Sequence, residues 1–414
     1  MRIAMMTNNY RPVVGGVPIS IDRLSDGLRA RGHAVTVFAP YHEGQVFEPD
    51  VVRFRSYDAG LPADAMLPDI FDPAIEANFR MGGFDVIHIH HPMLIGYNGL
   101  HLARKYGVPI AFTYHTQYEQ FLHCAKPYAA LERHASQDGG ILKASCDSIK
   151  ELVRFHNRTV ANSCDLIFAP TRQIRQDLLD RGITSPIEVM ATGLAREDFT
   201  CDAAKTDAIR RNYIGDRESL LCSVARLSCE KNIPFLLKAL ARYKADGHSI
   251  RLLLIGDGPE RENLAGCAAD LGLADDVVFV GSVPHSDISN YYRACDVFVF
   301  ASKSETQGIV LLEAMASGLP VVAVDACGVC DVVVNNHNGY RVMESDSQFS
   351  AALGSITGDG LLSCRMREGA RTTAVRHTAE EMALTAERAY RRMLRTAAQP
   401  NFAYTTRGHY TAAD

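Results

Sequence analysis

The feature that most restricts the fold of this chain is an alternation of short apolar runs with helix-length amphipathic segments. In the first half the apolar runs are rich in Val, Ile and Phe, and they cover 2–7, 34–40, 85–90, 109–115, 166–171 and 187–192. Such runs, bounded by polar turns, indicate buried parallel strands. Amphipathic segments such as 18–33, and the long polar stretch 128–163, separate them. The pattern predicts a doubly wound α/β sheet.

The same alternation then starts again in the second half of the chain. Its apolar runs cover 220–226, 250–258, 276–283, 296–302 and 320–325. Segments 231–247 and 309–318 are among the helices expected between them. A chain of 414 residues is also too long for one hydrophobic core. We therefore predict an α/β protein of two Rossmann-like domains that face each other across a cleft.

The predicted domain boundaries follow from where the pattern lapses. We expect residues 1–195 to form the N-terminal domain and 196–378 the C-terminal domain, with the polar segment 193–218 as the linker. The amphipathic segment 379–397 is expected to be a helix that packs back on the N-terminal domain, and 398–414 a polar tail. Ligands of such sheets bind at the carboxyl ends of the strands.

Composition excludes several classes of protein. The net charge is −5, which gives no reason to expect nucleic-acid binding. The eleven cysteines show no framework spacing, and the single Cys327-x-x-Cys330 pair has no second pair beside it, so reduced packing thiols are favoured over a zinc or redox site. No run approaches the length of a transmembrane helix. We expect a cytoplasmic protein, with peripheral attachment to the inner face of the cell membrane left open.

Two short motifs suggest a phosphate site. Gly15-Gly16 follows the first strand and precedes a helix, so bare backbone N–H groups could face a phosphate, although a Gly-Gly turn often serves the chain reversal alone. Arg226 ends a strand and Lys231 begins the next helix. Two cations there could stabilise a departing diphosphate without a metal ion. Two solvated surface charges are the alternative interpretation.

A third motif, "KSETQGIVLLEAMASG" at 303–318, holds two carboxylates. A helix is expected to begin near Gly308, so that Ile309 and Val310 would present free N–H groups at its N-terminus. Glu305 would lie in the preceding loop and Glu313 in the first turns of the helix. A carboxylate accepts pairs of hydrogen bonds and so suits the vicinal hydroxyls of a ribose or hexose. Alternatively one glutamate caps the helix and the other is solvated.

Taken together, Glu305-x7-Glu313, Arg226 with Lys231, and Gly15-Gly16 resemble the retaining glycosyltransferases of the GT-B fold, glycosyltransferase family 4. The resemblance covers essentially residues 1–395, and it implies that the N-terminal domain 1–195 binds the acceptor and the C-terminal domain 196–378 the nucleotide sugar. It implies that Glu305 holds hydroxyls of the donor sugar and Glu313 the ribose of the nucleotide.

The same resemblance implies that Arg226 and Lys231 bind the diphosphate. Gly15, Gly16 and the backbone after Gly308 would line the same phosphates. Segment 255–264, which contains Gly256, matches the loop of the family that lies beside the nucleobase.

Within this family, segments 88–96 and 112–123 are similar to bacterial diacylglycerol glucosyltransferases. His115, at the end of a predicted strand, matches a histidine near the donor sugar and acceptor; a structural role is the alternative. Two segments depart from the family. Thr192-Gly193-Leu194-Ala195 lacks the usual aspartate, and "DACGVCDVV" at 325–333 stands where Gly-Gly-hydrophobic-Pro-Glu is usual. Both bear on the acceptor and sugar assignments.

The expected reaction is transfer of a hexose, glucose from UDP-glucose being the first expectation, to a hydroxyl acceptor with retention of anomeric configuration. The resemblance implies front-face attack, in which the departing phosphate takes the acceptor proton. No cofactor and no metal are expected. The acceptor is expected to be diacylglycerol or a related lipid, and a soluble sugar or small molecule is the alternative. From other classes, a nucleotide-sugar epimerase and a non-catalytic nucleotide-sugar-binding protein stay open.

A lipid acceptor would require contact with a bilayer, and the stretch 121–160 is the candidate. Lys143, Lys150, Arg154 and Arg158 lie on its expected helix. Arg154 and Arg158 share a face, with Lys150 one turn earlier. Ordinary solvation of these charges is the alternative.

Overall fold

The computed structural model describes residues 1–13, 15–58, 66–120 and 140–398, together with residues 122, 128, 131, 132 and 134. The chain divides into two compact units. The first comprises Met1–Pro170, Arg175–Met190 and Met382–Asp414, and the second comprises Thr171–Ile174 and Ala191–Glu381. This division falls after Met190, whereas the sequence pattern placed the boundary after Ala195.

The first unit is built on a seven-stranded parallel sheet. The strands in chain order are β1 (Arg2–Met6), β2 (Ala34–Pro40), β3 (Val51–Phe54), β4 (Ser56–Tyr57), β5 (Leu67–Pro68), β6 (Val86–Ile89), β7 (Ile110–Thr113), β8 (Leu166–Ala169) and β9 (Ile187–Val189). The sheet order is β3-β2-β1-β6-β7-β8-β9, and β4 and β5 form a separate antiparallel pair. The six expected strands of this half are present, and β3 adds an edge strand that was not predicted.

The helices that follow these strands are amphipathic. In chain order they are α1 (Gly16–Ala30), α2 (Pro73–Gly82), α3 (Ile95–Tyr106), α4 (Ile141–Asn162) and α5 (Arg172–Asp180). Part of the stretch 128–163, expected to be helical, lies outside the described residues, and its later part forms α4. Among the described residues, no helix is both long enough and apolar enough to cross a bilayer.

The second unit contains a six-stranded parallel sheet of order β12-β11-β10-β13-β14-β15. Its strands are β10 (Ser219–Val224), β11 (Ile250–Ile255), β12 (Val277–Gly281), β13 (Val297–Phe300), β14 (Val321–Val324) and β15 (Gly339–Val342). Its helices are α6 (Ala203–Ile214), α7 (Ile233–Ala245), α8 (Arg261–Asp270), α9 (His285–Ala294), α10 (Ile309–Ala316), α11 (Asp346–Thr357) and α12 (Gly360–Ala374). The two parallel sheets confirm the predicted α/β class.

The linker predicted at 193–218 is wrong, because the whole segment belongs to the second unit and its middle part forms the helix α6. The Asp202 carboxylate caps it by accepting the N–H groups of Ala204 and Lys205. The Lys205 ammonium and the Arg210 guanidinium form ion pairs with the carboxylates of Asp287 and Asp296. No residue of α6 is fully buried, and only Tyr213 and Ile214 at its end pack partly buried against the core of the second unit, so the sequence shows no clear apolar period.

The last helix, α13 (Ala379–Ala397), packs on the core of the first unit. Its buried side chains recur at helical spacing and include Met382, Ala386, Tyr390 and Met393, which join residues of β1, β2 and α1 in one apolar cluster. The amphipathic pattern that predicted this helix is therefore the pattern of its buried face.

The strand orders determine where ligands can bind in each unit. In the first sheet the order reverses at β1, which lies between β2 and β6. In the second it reverses at β10, which lies between β11 and β13. Crevices in open α/β sheets form at the carboxyl ends of strands at such switch points. The loops after β10 and β13 carry Arg226, Lys231 and Glu305, whereas Gly256 follows β11 and Glu313 lies in α10.

Candidate functional site

Two loops meet at the switch point of the second sheet, one after β10 and one after β13. The Lys231 ammonium at the end of the first loop donates a hydrogen bond of 2.6 Å to Glu305 Oε1 in the second. Both side chains are partly buried, with about a fifth of each exposed. The structure thus brings together the cation predicted for the diphosphate and the carboxylate predicted for the donor sugar.

Arg226 has a carboxylate partner of its own. Its Nη2 donates to Glu230 Oε1 at 3.2 Å, and the same oxygen accepts the Ser228 hydroxyl at 2.6 Å. Burial opposes ionisation of Glu230, but the bonds from Ser228 and Arg226 hold its pKa below its ordinary value. Both predicted phosphate-binding cations are therefore held by carboxylates, and the sequence reasoning missed Glu230.

Gly256 lies at the end of β11, beside the Arg226 loop. Its N–H donates to the carbonyl of Gly281 at 2.8 Å. The backbone carbonyl of the next residue, Asp257, accepts the N–H of Leu227 at 3.0 Å. The carbonyl of Leu227 in turn accepts the N–H of Glu260 at 3.1 Å. The segment proposed for the nucleobase therefore runs alongside the loop proposed for the diphosphate.

The N-terminus of α10 is fixed by Gly308. This residue has a φ of 70°, in the left-handed region, and a Cβ on it would lie 2.9 Å from Leu311 Cδ1. Glycine adopts this conformation without the steric cost that other residues incur. The helix then begins at Ile309 as predicted, and the first N–H groups, those of Ile309 and Val310 among them, have no acceptor within the helix.

Gln307, just before that glycine, was missed by sequence reasoning. Its side-chain amide accepts the N–H of Thr192 at 2.7 Å and donates to the carbonyl of Thr192 at 2.9 Å. Gln307 is 5% exposed. This two-point bond fixes the Glu305 loop to the segment that departs from the family pattern.

Glu313 lies in α10, as predicted, but its side chain is almost fully buried. It accepts the hydroxyl of Tyr292 at 3.4 Å, and burial together with this carboxylate raises the pKa of Tyr292. Ligand atoms of Glu313, Asp198 and His285 lie within 4.8 Å of one another, the one such group of potential metal ligands among the described residues. The role of Glu313 in binding the ribose stays a prediction, and so does the expectation that the reaction needs no metal.

Asp198 supplies a carboxylate near the position where the family aspartate is missing. Its Oδ2 accepts the N–H of Ala195 at 2.7 Å, and its Oδ1 lies 3.4 Å from His285 Nε2. Asp198 is buried. The segment "REDF" that follows Ala195 carried this signal, because an acidic residue in a short helical turn readily accepts a backbone N–H.

The second segment that differs from the family pattern, 325–333, packs against the Glu305 loop through Gly328. This glycine has a φ of 81°, and a Cβ on it would lie 3.0 Å from both Glu305 Cβ and the Glu305 carbonyl oxygen. Cys327 and Cys330 flank it and form no disulfide. Burial is the main cause that raises the pKa of the Cys330 thiol.

In the first unit, Gly15 and Gly16 lie after β1 and at the start of α1, as the sequence predicts. The helix α1 begins at Gly16, two residues before the predicted start, and the Gly15 carbonyl accepts the N–H of Ile19 at 3.2 Å. A Cβ on Gly16 would meet no atom within 4 Å. Packing within the chain therefore does not require glycine at this position, and the phosphate role of Gly15 and Gly16 stays a prediction.

His115 follows β7 and belongs to a cluster of histidines. Its Nε2 lies 2.9 Å from His90 Nδ1, while His88 and His91 complete the cluster. Burial is the leading cause that lowers the pKa of all four rings, to about 3 for His88 and about 4 for His91. The sequence identified His115, and the "HIHH" run at 88–91 was the available signal for its partner.

The four basic residues proposed for membrane contact all lie on α4. Lys150 Nζ is 3.6 Å from Glu132 Oε1, and Arg154 pairs with the carboxylates of Glu151 and Glu119. Leu152 and Phe155 on the same helix are 66% and 57% exposed. The helix therefore combines basic side chains with apolar ones that the described residues do not cover.

Comparison with known proteins extends over both units. Residues 14–197 match the family described as Glycosyltransferase Family 4, and residues 205–373 match Glycosyl transferases group 1. The alpha-monoglucosyldiacylglycerol synthase of Streptococcus pneumoniae is 32% identical, the match covering 78% of this chain and 71% of that protein. A GDP-mannose-dependent alpha-mannosyltransferase of Mycobacterium tuberculosis is 28% identical, covering 82% of this chain and 83% of the relative.

Solved structures share the fold. Sucrose-phosphate synthase from Thermosynechococcus elongatus superposes with a TM-score of 0.74 at 21% identity, covering 95% of this chain and 99% of that one. The Anabaena protein HepE in complex with UDP and glucose superposes with a TM-score of 0.71 at 17% identity, covering 95% and 100%.

Proposed function

The chain belongs to glycosyltransferase family 4 and has the GT-B fold, and we propose that it transfers glucose from a nucleotide sugar to a hydroxyl group of diacylglycerol or a related lipid. The observation that carries this proposal is the Lys231–Glu305 pair at the switch point of the second sheet. The similarity to an alpha-monoglucosyldiacylglycerol synthase supports the choice of sugar and acceptor.

In this proposal the second unit binds the donor. The diphosphate lies at the N-terminus of α10, whose first N–H groups and helix dipole favour negative charge. Arg226 and Lys231 turn part of their hydrogen bonding from Glu230 and Glu305 to the phosphate oxygens. Glu305 then accepts hydroxyls of the sugar, and Glu313 the hydroxyls of the ribose.

The proposed reaction breaks the bond between the anomeric carbon and the diphosphate oxygen. The bonding electron pair leaves with the diphosphate, where Arg226, Lys231 and the helix N–H groups stabilise the added charge. The acceptor oxygen bonds to the anomeric carbon on the same face, and its proton passes to the departing phosphate. This route retains the anomeric configuration and requires neither a protein base, a cofactor nor a metal ion.

The test is a panel of donors and acceptors. UDP-glucose, UDP-galactose and GDP-mannose are each incubated with diacylglycerol vesicles, with a soluble sugar, or without acceptor, in the presence and absence of EDTA. We expect glucosyldiacylglycerol from UDP-glucose, with an α-anomeric proton by NMR and unchanged rate in EDTA. A β-anomeric product would overturn the retaining mechanism, and loss of activity in EDTA would overturn the metal-free one.

A second candidate is mannosyl transfer from GDP-mannose. The GDP-mannose-dependent mannosyltransferase that matches 82% of the chain favours it. Product from GDP-mannose alone would identify this activity instead. Conversion of the donor sugar to its epimer without acceptor would indicate the epimerase alternative, and binding without any product the non-catalytic one.

We also propose that the acceptor is reached at a membrane surface through α4. Its exposed Leu152 and Phe155 would enter the interfacial region, and Arg154 and Arg158 would lie near anionic headgroups. The Arg158 guanidinium lies over the Phe155 ring, 5.5 Å from its centroid, so one apolar and one basic group already act together.

A further inference from the structure

We propose that Glu344 is a positioning residue for the transfer reaction, because its carboxylate bridges the loop of Lys231 to the loop of Glu305. This inference rests on the proposed function for the reaction itself, whereas the bridge is a property of the folded chain. Glu344 follows β15, the last strand of the second sheet, and none of the sequence motifs pointed to it.

The bridge consists of one carboxylate with two partners. Glu344 Oε1 accepts a hydrogen bond of 2.8 Å from the side-chain amide of Asn232, and Glu344 Oε2 forms an ion pair with the Lys303 ammonium. The hydrogen bond from Lys303 first, and then the one from Asn232, hold the pKa of Glu344 below its ordinary value. The carboxylate is therefore ionised at neutral pH and engages both partners at once.

Both partners adjoin the groups assigned to the donor. Asn232 directly follows Lys231, and Lys303 stands two positions before Glu305. Asn232 has a φ of 53°, in the left-handed region, at the joint between a short 3-10 turn and α7. Asparagine is one of the few residues with a side chain that visit this region routinely. A hydrogen bond to its side chain therefore restrains the joint beside which Lys231 lies.

The backbone of Glu344 is itself held between two regular elements. On one side, the N–H of Met343 donates to the side chain of Gln348 at 3.3 Å. On the other side, Ser345 is the N-cap of α11, and its hydroxyl accepts the N–H of Gln348. Because β15 lies three positions from β10 in the sheet order, the bridge joins loops of strands that are not neighbours.

This bridge matters most when the donor is bound. In the proposed function Lys231 turns part of its hydrogen bonding from Glu305 to a phosphate oxygen, which weakens the direct bond between the two loops. The bridge through Glu344 uses neither of these side chains, so it keeps the loops in place while the pair opens. Misplacement of a catalytic group by about 1 Å can cost about 10²-fold in rate, so such a restraint contributes to turnover.

The primary experiment is a double-mutant cycle on kcat with Glu344→Gln and Lys231→Ala. We expect Glu344→Gln to lower kcat by about tenfold with KM nearly unchanged, because the donor still binds but meets a misplaced ammonium. In the Lys231→Ala background the same change should lower kcat by at most about threefold, because the ammonium that it positions is gone. Wild-type kcat in Glu344→Gln, or equal losses in the two backgrounds, would overturn the proposal.

A second variant separates position from charge. Lys303→Met and Glu344→Gln change the net charge in opposite directions, yet each breaks the bridge, so both should lower kcat. Opposite effects would show that the local charge, not the position of the loops, is what matters, and would overturn the proposal. Because the side chains of Glu344 and Lys303 are 39% and 52% exposed, their ion pair contributes little to stability, and both variants are expected to fold.

The matched control is Asp246→Asn. Asp246 is a carboxylate of similar exposure that also has two side-chain partners, Arg242 of α7 at 3.1 Å and Ser350 of α11 at 2.9 Å. It lies at the opposite end of α7 from Asn232, so this variant should keep the wild-type kcat. A loss equal to that of Glu344→Gln would contradict a role specific to the bridge.

The thermal midpoint of the ligand-free chain provides a readout that does not need activity. If Glu344 restrains the Lys231–Glu305 pair, Lys231→Ala should lower the midpoint less in Glu344→Gln than in the wild type. The same change combined with Asp246→Asn should be additive. Additivity with Glu344→Gln would overturn the bridge even in a chain that turned over no donor. A chain inactive on every donor, with the coupling present, would overturn the proposed function alone.

Discussion

The Lys231 ammonium forms a hydrogen bond with Glu305, and in the proposed function the same ammonium binds a diphosphate. The 2.6 Å bond holds the ammonium at the switch point of the sheet before any ligand arrives. Such preorganisation is what makes a charged group effective in a transition state, because little reorganisation is then needed as charge develops. The contribution of Lys231 should therefore appear in kcat more than in substrate binding.

Replacing Lys231 by Ala should lower kcat by about 10²-fold or more, the usual loss when one preorganised group that stabilises a developing negative charge is removed. The measurement is steady-state glucosyl transfer with the donor identified by the panel. Lys238→Ala, an exposed lysine in α7, is the matched control and should retain activity. Unchanged turnover in Lys231→Ala would contradict the assigned role, provided that its thermal midpoint matches the wild type.

The sequence identified Lys231, Arg226, Glu305 and Gly308 because spacing and residue type mark them. It did not reveal Gln307 or Asp198, for a physical reason. Gln307 acts through a bond to Thr192, which is 115 positions away in the chain. Asp198 acts from three positions beyond the one where the family aspartate would stand. The partner of Gln307 becomes visible only when the loops have been placed in space, whereas the contact of Asp198 is local and its signal in the sequence was overlooked.

At the scale of elements, α4 carries the prediction about membranes. Changing Leu152 and Phe155 together to Ser should reduce the fraction of protein that floats with vesicles of phosphatidylglycerol and diacylglycerol. Burial of one such side chain contributes about 1.5–3 kcal/mol, so even partial insertion of the two should change the partition coefficient by about tenfold or more.

The control is Leu361→Ser, which alters another highly exposed leucine, at the start of α12 in the second unit. Flotation of this variant should equal that of the wild type. Equal flotation of the Leu152/Phe155 double variant would remove the apolar pair from the proposed contact. If flotation of the wild type is lost at high salt and the double variant floats equally at low salt, the contact is assigned to Arg154 and Arg158 rather than to the apolar pair.

Elements differed in how well the sequence predicted them, and burial explains the difference. β13 and α10 are enclosed by apolar neighbours, so their apolar runs are unmistakable. By contrast, α6 buries no residue and was taken for a linker. The overlooked signal was Asp202 followed by "AAK", an N-cap residue before good helix formers.

For the whole molecule, one glutamate of α13 makes the stability of the first unit depend on pH. Glu387 on this helix accepts hydrogen bonds from Arg391, at 2.8 Å, and from Arg31, which directly follows α1. These two bonds, Arg391 first, lower the pKa of Glu387 to about 2. Because the folded-state pKa lies below the unfolded value of about 4.3, the stabilisation is present above that pH and is lost as the pH falls toward 2.

Glu387→Gln should therefore lower the thermal midpoint at pH 6 and have a much smaller effect near pH 2. The measurement is thermal unfolding of both proteins, followed by circular dichroism across this range. A difference between the two midpoints that stays constant from pH 6 to pH 2 would show that packing of the side chain, not its charge, is what matters.

The repeated alternation of strands and helices was enough to predict two parallel sheets, because each period reflects burial within its own unit. It could not assign 171–174 to the second unit or end that unit at Glu381. Those limits depend on contacts between segments far apart in sequence, such as the bond between the N–H of Leu194 and the carbonyl of His377 at 2.7 Å.

The return of α13 to the first unit makes almost the whole second unit an insertion within the first, from Ala191 to Glu381. The segments that enter and leave it are adjacent, since Leu194 and Thr378 form a β-bridge. Two neighbouring chain ends form a natural splice point. If, as proposed, the second unit binds the donor, a second unit from a relative with another nucleotide preference could be joined at these positions, and the specificity for the sugar would then be exchanged separately from that for the acceptor.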